Sequence, residues 1–382
     1  MTATTGVLSR VMVGKAERIV RDLLETADVR VGGGRPHDID VHDGSFYLRI
    51  LRDGRLGLGE SYMDGQWDTG ALDELIGRLI RAGVSPPAPS WRGAIHLAAA
   101  RLRNLQSAAR ARLSVARHYD IGNDLYQAML GETLAYTCAY WKGAGTLDQA
   151  QRAKLDLVCR KLGLRPGMKV LELGCGWGTF ARHAAERFGA RVTGYTVSRE
   201  QVTLGTELCR GLPVELHLAD YRTAHGRFDA VVSIGLMEHV GPKNHRSYME
   251  IVDRCLRPGG TAFIHTIGSN QRQMLIDPWF HRYVFPNAAI PSLAQIAQAM
   301  DGMFVPEDVH NIGPHYDRTL MAWADNFERA WPRLRARYGD RFRRMWRFYL
   351  LSSAGAFRAR FMQLYQIVMT RPGTRQPECR VS

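Results

Sequence analysis

Two stretches of this sequence put a carboxylate and an imidazole where a reaction could use them. Gly235-Leu236-Met237-Glu238-His239-Val240-Gly241 follows an apolar run at 228–234, and Ile264-His265-Thr266-Ile267-Gly268-Ser269 ends another. If both runs are adjacent parallel strands, Glu238 and His265 stand side by side at a buried strand end. Burying such groups is unfavourable unless something uses them, so the pair reads as acid–base chemistry or as a Glu–His contact fixing two loops. His239 is left without a role. A third stretch is Val170-Leu171-Glu172-Leu173-Gly174-Cys175-Gly176-Trp177-Gly178, an apolar strand running into a glycine-rich turn with a helical pattern after it. Such a junction lets backbone N–H groups and a helix N-terminus approach a carboxylate or phosphate.

The elements that must position these residues are legible from periodicity. Strand patterns at 168–173, 190–195, 213–218, 228–234 and 261–267 alternate with helical patterns at 178–188, 199–210 and 245–257. That alternation predicts an α/β fold with a mostly parallel sheet and ligands at the carboxyl ends of its strands. The spacing GxGxG, with no Lys-Ser/Thr after it, argues against a phosphate-cradling P-loop and favours the turn used with S-adenosylmethionine (SAM). After the second strand, Thr196 and Gln201 stand where a nicotinamide-dinucleotide site carries an acid, so that cofactor is disfavoured. After the third, Asp220 and Tyr221 suit an adenine, with a capping Asp as the structural alternative.

Ahead of this region, residues 1–90 read as a small α+β module and linker. Residues 45–51 and 55–59 look like strands joined at Asp53-Gly54, a hairpin turn signal, and 72–81 reads as a helix. Residues 84–90 read as the linker, 91–119 as a basic helical connector and 120–382 as the catalytic domain. The 382-residue chain carries a net charge of +14, concentrated in two places: seven arginines and no acid at 81–119, and thirteen arginines against Asp340 and Glu378 at 329–382. Such concentration points to a polyanion, either nucleic acid or an anionic membrane face, with a solvated face as the alternative. Apolar residues interleave with the arginines from Phe342 to Leu351, part core and part surface. No apolar run reaches membrane-spanning length and no signal-peptide pattern opens the chain. The six scattered cysteines have no zinc spacing and read as reduced cytoplasmic thiols; no metal is expected.

Taken together, LGLGESYMD at 56–64, HYDIGNDLY at 118–126, YTCAYW at 136–141, LGCGWG at 173–178, EHVGPKN at 238–244, HTIGS at 265–269 and AGAFRAR at 354–360 make the chain similar to the cyclopropane-fatty-acyl-phospholipid synthases. The resemblance implies a class I SAM-methyltransferase (Rossmann-like) domain with helical insertions. Its reaction is methyl transfer from SAM to the cis double bond of a phospholipid acyl chain, followed by proton loss and ring closure. It implies a bicarbonate ion held by Cys138, Glu238, His265, the backbone of Ile267 and Tyr316. It implies cofactor contacts at Tyr136, Thr137, Gly174, Cys175, Gly176, Gly178, Thr196, Gln201, Asp220 and Tyr221. Glu238 as the direct base stays open. The likeness gives the 1–90 module a part in lipid binding and dimerisation. It makes a phospholipid bilayer, met peripherally from the cytoplasmic side, the expected partner, with no nucleic acid. Methyl-branched acyl products and RNA methylation are the alternatives.

Overall fold

The computed structural model describes residues 2–84, 121–272 and 277–381, so the predicted connector at 91–119 lies outside the described residues. The chain forms two compact units. One comprises Met1–Arg103, Asp277–Pro286 and Trp323–Phe361; the other comprises Asn104–Ile276, Asn287–Ala322 and Met362–Ser382. These boundaries differ from the contiguous division read from the sequence, because the first unit recruits two distant segments.

In the first unit the expected hairpin is absent. Ser45–Met63 is one helix kinked at Gly54, whose φ of 57° and ψ of −129° break the helical path. Tertiary packing overrides the local turn signal here. A Cβ on Gly59 would lie 2.3 Å from the Trp279 ring, and one on Gly57 would lie 2.4 Å from the Arg49 carbonyl. The small residues of the 56–64 motif thus let the helix close on Trp279. Among the described residues, strand structure in this unit is limited to an antiparallel pair, β1 (Asp40–Val41) and β2 (Trp67–Asp68).

Helix Asp340–Arg358 belongs with this unit for the same steric reason. A Cβ on Gly355 would meet the Asp73 carbonyl at 2.3 Å and the Gly77 nitrogen at 3.0 Å, so the helix lies almost backbone to backbone on Leu72–Arg81. Arg358 adds an ion pair to Asp73 at 2.6 Å. Met345, Trp346, Phe348, Tyr349, Leu350 and Leu351 are buried. The helix's arginines are engaged as well: Arg341 with Asp64, Arg344 with Asp68, and Arg343 and Arg347 with Glu328. Phe342–Leu351 is therefore mainly core, and much of its charge is internally paired.

The second unit is built on a seven-stranded sheet in the order β5-β4-β3-β6-β7-β9-β8. The strands are β3 (Lys169–Leu173), β4 (Arg191–Thr196), β5 (Val214–Leu218), β6 (Phe228–Ile234), β7 (Leu256–Ser269), β8 (Val305–Asn311) and β9 (Met362–Thr370). The first five match the sequence reading and run parallel; β9 pairs antiparallel with both β7 and β8. The last two strands were not foreseen. β9 is buried along nearly its whole length, so it lacks two-residue alternation. The turn before it uses Arg360 at φ 58° rather than a glycine. One apolar layer, with Leu171, Val231, Met249 and Ile367, covers one face of the sheet, and another, with Val170, Phe180, Val232 and Phe263, covers the other. Leu173 pairs with Tyr195 and with Ser233, and Ile234 pairs with His265, so the carboxyl ends of four strands share one edge. At β3 the chain order reverses direction across the sheet, leaving a crevice at that edge.

Candidate active site

The glycine turn at the end of β3 is positioned by backbone geometry. Gly174 sits at φ 78°, where a Cβ would also touch the Leu236 side chain at 3.2 Å. The Gly174 and Cys175 N–H groups both donate to the Tyr195 carbonyl at 3.0 Å. Gly178, at φ 74°, is the N-cap of helix Thr179–Phe188. Tyr136, Thr137, Gly174, Cys175 and Gly176 line a cavity together with Thr196, Gln201, Asp220 and Tyr221. Of the expected cofactor residues, only Gly178 stands outside this lining. Its constraint is steric, since a Cβ there would lie 3.1 Å from Leu216 and 3.2 Å from the Cys209 sulfur.

Local contacts set the polar groups around the cavity. The Thr196 hydroxyl donates to Gln201 Oε1 at 2.7 Å, while Ser198 caps the following helix by accepting from Gln201 N. Asp220 caps the turn Tyr221–Thr223, and its carboxylate also takes Arg222 Nη1 at 2.8 Å. The Arg222 guanidinium lies 4.8 Å over the Tyr221 ring. The structural reading of Asp220 as a cap is thus realised, although the residue still borders the cavity. Tyr126, the last residue of the 118–126 motif, packs edge-on against Tyr136 at 5.3 Å and tilted against Trp177 at 5.1 Å. Trp177 Nε1 in turn donates to Asn123. That motif therefore braces both the 136–141 segment and the glycine turn.

The 136–141 segment is held between two helices. From helix Leu147–Lys161, Gln151 Nε2 donates to the Thr137 carbonyl at 2.8 Å and Lys154 Nζ donates to the Thr137 hydroxyl at 2.8 Å. From helix Pro314–Tyr338, Thr319 Oγ1 accepts from Ala139 N at 3.1 Å and from Trp141 Nε1 at 2.9 Å, and His315 Nδ1 accepts from Trp141 N at 2.8 Å. Tyr316, also buried, lies on this helix one turn before Thr319. At Gly235 a Cβ would lie 2.9 Å from the Thr137 methyl, so the end of β6 and the segment carrying Cys138 approach closely.

Glu238 and Ile267 meet at the carboxyl end of β7, with His265 two residues earlier on the same strand. Gly235 N donates to the His265 carbonyl at 2.8 Å, and Ile267 N donates to Glu238 Oε1 at 2.6 Å. The other carboxylate oxygen, Oε2, and His265 Nε2 are buried without a hydrogen-bond partner. Gln366 Nε2 faces His265 Nδ1 at 3.4 Å. With that amide as donor, the imidazole proton lies on Nε2. Burial pushes Glu238 up to about 7 and drives His265 well below its ordinary value. Burial also raises the Cys138 thiol far above its usual range; its Sγ donates to the Ala139 carbonyl at 3.3 Å, and the Thr319 side chain lies beside it. This cluster of Cys138, Glu238, His265 and the Ile267 N–H thus comprises neutral donors and a carboxyl poised between its two forms. His239 borders the cavity and is held down at about 4 by burial.

Sequence reasoning missed Gln151, Lys154, Glu172 and Thr319. The signal for the first two was present, because Gln151, Lys154 and Lys161 fall on the stripe 147, 150, 151, 154, 155, 158 and 161 that the helix buries. Polar groups on a core-facing stripe demand partners. Among the described residues no helix is long and apolar enough to cross a membrane.

Similarity to known proteins bears on this site. Residues 106–367 match the family model for mycolic acid cyclopropane synthetase. The chain is 47% identical over 355 residues to a cyclopropane-fatty-acyl-phospholipid synthase of Escherichia coli K12, covering 93% of each chain. It is 33% identical to the tuberculostearic acid methyltransferase UfaA1 of Mycobacterium tuberculosis, covering 85% of this chain and 81% of that one. Among solved structures, the mycolic acid cyclopropane synthase CmaA1 complexed with SAH and CTAB superposes with a TM-score of 0.63 at 28% identity, covering 68% of this chain and 97% of that one.

Proposed function

This chain belongs to the mycolic acid cyclopropane synthetase family, and from that footing we propose that it converts the cis double bond of a phospholipid acyl chain into a cyclopropane ring. It is a SAM-dependent methyltransferase of class I fold acting on lipid. The observation that carries the finer reading is the buried cluster of Glu238, Ile267 and His265, set at the same sheet edge as the glycine-turn cavity and supplied with unpartnered polar atoms.

An alkene is a weak nucleophile, so the chain must hold it in line with the sulfonium methyl in a dry pocket. Its π pair then forms the new C–C bond as the S–CH3 bond breaks, leaving SAH and a carbocation. Loss of a proton from the added methyl closes the ring. The cation is strongly acidic, so placement of the acceptor matters more than its basicity. Tyr316 and Tyr140 offer aromatic faces to the developing charge. His265 Nε2–H and the protonated Glu238 carboxyl offer two neutral donors, which fit an oxyanion. Bicarbonate, when bound there, supplies the weak base. Glu238, ionised in about half of molecules near pH 7, accepts or relays the proton. Cys138 lines the cluster as a protonated thiol, not a nucleophile.

Tyr136, Thr137, Gly174–Gly178, Thr196, Gln201 and the Asp220–Tyr221 pair form the cofactor shell in this reading. The 1–90 module assists lipid binding and dimerisation, and the protein works peripherally at the inner face of the membrane. Because helix Asp340–Arg358 pairs many of its arginines internally, docking on anionic lipid rests mainly on other basic residues.

The test is incubation with SAM and vesicles of unsaturated phospholipid, followed by mass spectrometry and NMR of the acyl chains. A gain of one CH2 with loss of the olefinic signal and appearance of ring protons supports cyclopropanation. A methyl branch would reassign the quenching step, and methylated RNA without lipid product would overturn the substrate class. Glu238→Gln should abolish most turnover while SAM still binds; loss of SAM binding would move Glu238 into the cofactor shell.

A further inference from the structure

Beside the cofactor cavity lie a buried lysine and glutamate to which the mechanism above gives no part. Lys154 and Glu172 are 1% and 3% exposed, and both border the cavity. They act on each other through space, each opposing the other's loss of charge on burial. Glu172 Oε2 has no hydrogen-bond partner. Lys154 reaches its position from helix Leu147–Lys161, and its ammonium is held by the hydroxyl of Thr137, the residue next to Cys138. Gln151, one turn earlier on the same helix and fully buried, fixes the Thr137 carbonyl, so the tether has two points. Burying a lysine this completely is unfavourable unless its charge is used or matched.

The pair has a direction. The field of Lys154 reaches Cys138, His265 and His183, while that of Glu172 reaches Cys159, Cys175 and Cys209. The bond to Thr137, 2.8 Å long, carries the ammonium next to Cys138 and so toward the group of residues that includes the unpartnered His265 Nε2 and Glu238 Oε2. That cluster contributes neutral donors and one carboxyl but no cation of its own. An anion brought into it loses hydration, and neutral donors alone repay only part of that loss.

We propose that Lys154 is the positioning residue that gives this cluster its affinity for a small oxyanion, with Thr137 tethering the ammonium beside Cys138. This rests on the bicarbonate reading above and adds to it the source of the positive potential. Glu172 matches the charge when the anion is absent, so the empty cluster and the loaded one are both tolerated by the fold.

The experiment is titration of 13C-bicarbonate into the SAH-loaded protein, followed by calorimetry and by the 13C resonance, for the wild type, K154M, K154R, T137V and the charge-neutral double variant K154M/E172Q. We expect K154M and K154M/E172Q to weaken bicarbonate binding about tenfold, or about 1.4 kcal/mol, while SAH affinity changes less than about threefold. K154R should stay within about threefold of wild type and T137V should fall between. Turnover of K154M should recover as bicarbonate is raised. The double variant removes the lone buried carboxylate, so the test survives if K154M does not fold. Wild-type bicarbonate affinity in both methionine variants overturns the proposal and leaves the anion reading intact. Parallel loss of SAH and bicarbonate also overturns it, making Lys154 part of the cofactor shell. If the wild-type protein binds no bicarbonate, the anion reading itself fails and takes this proposal with it.

Discussion

Replacing Glu238 by glutamine should stabilise the protein while removing its activity, and the size of the gain should depend on pH in a calculable way. In the folded chain burial pushes this carboxyl up to about 7 from an ordinary value of 4.5. Between those two values the folded state holds a proton that the unfolded chain has released, so wild-type stability falls as pH rises through this window. At about 1.36 kcal/mol for each tenfold in proton affinity, the full effect is about 3 kcal/mol. Glutamine is uncharged throughout, and its Oε1 can still accept the Ile267 N–H that Glu238 accepts at 2.6 Å. The difference between variant and wild type should therefore be about 1 kcal/mol at pH 5, about 2 at pH 6 and about 3 at pH 8. Urea unfolding of both proteins across this range, without SAM or bicarbonate, measures it; other titrating groups cancel in the difference. A difference that does not change with pH, or a variant less stable than wild type at pH 8, would refute the claim that Glu238 is kept partly neutral by burial. The trade is a familiar one, in which a site's chemistry is maintained against the stability of the fold.

Three other outcomes follow from the same geometry. Cys138 is fully buried with its thiol raised by burial; iodoacetamide at pH 8 should leave it unlabelled in the native protein, by peptide mass spectrometry, and rapid labelling would contradict the inert-thiol reading. Thr319→Val leaves the Ala139 N–H and the Trp141 indole N–H without their acceptor; it should destabilise by about 2 kcal/mol or more and weaken SAH binding, with Thr319→Ser restoring both, whereas a change below about 0.5 kcal/mol would show that the 136–141 segment is held otherwise. Gly194→Ala would put a Cβ 2.8 Å from Cys175 Cβ and 2.9 Å from Leu216; overpacking should cost about 1–3 kcal/mol and lower SAH affinity by displacing the glycine turn, and unchanged SAH binding by calorimetry would refute that coupling.

The elements around the cofactor cavity were legible in the sequence because their signals are local. The strands ending at Leu173, Thr196, Leu218 and Ile234 carry apolar runs bounded by turn residues, and the glycine turn declares itself by spacing. Parallel pairing of β6 with β7 follows from that alternation, and with it the placing of His265 opposite Ile234, four residues before Glu238. Where a local signal competed with packing, packing won: Asp53-Gly54 has the composition of a hairpin turn, yet helix Ser45–Met63 kinks at Gly54 and continues, with Gly59 against the Trp279 ring. The return of helix Asp340–Arg358 to the first unit depends on Gly77 and Gly355 lying against each other's backbone, a contact between residues 278 positions apart in the numbering. No window of sequence contains it. The same holds for the site's support. That a lysine, a glutamine and a threonine from two helices would clamp the 136–141 segment could not be read from that segment, because hydrogen bonds are satisfied in space rather than along the chain. Residue types and spacing determined which chemistry this protein could carry. Burial, which only the tertiary structure imposes, decided the protonation of Glu238, His265 and Cys138, and with it how that chemistry is poised.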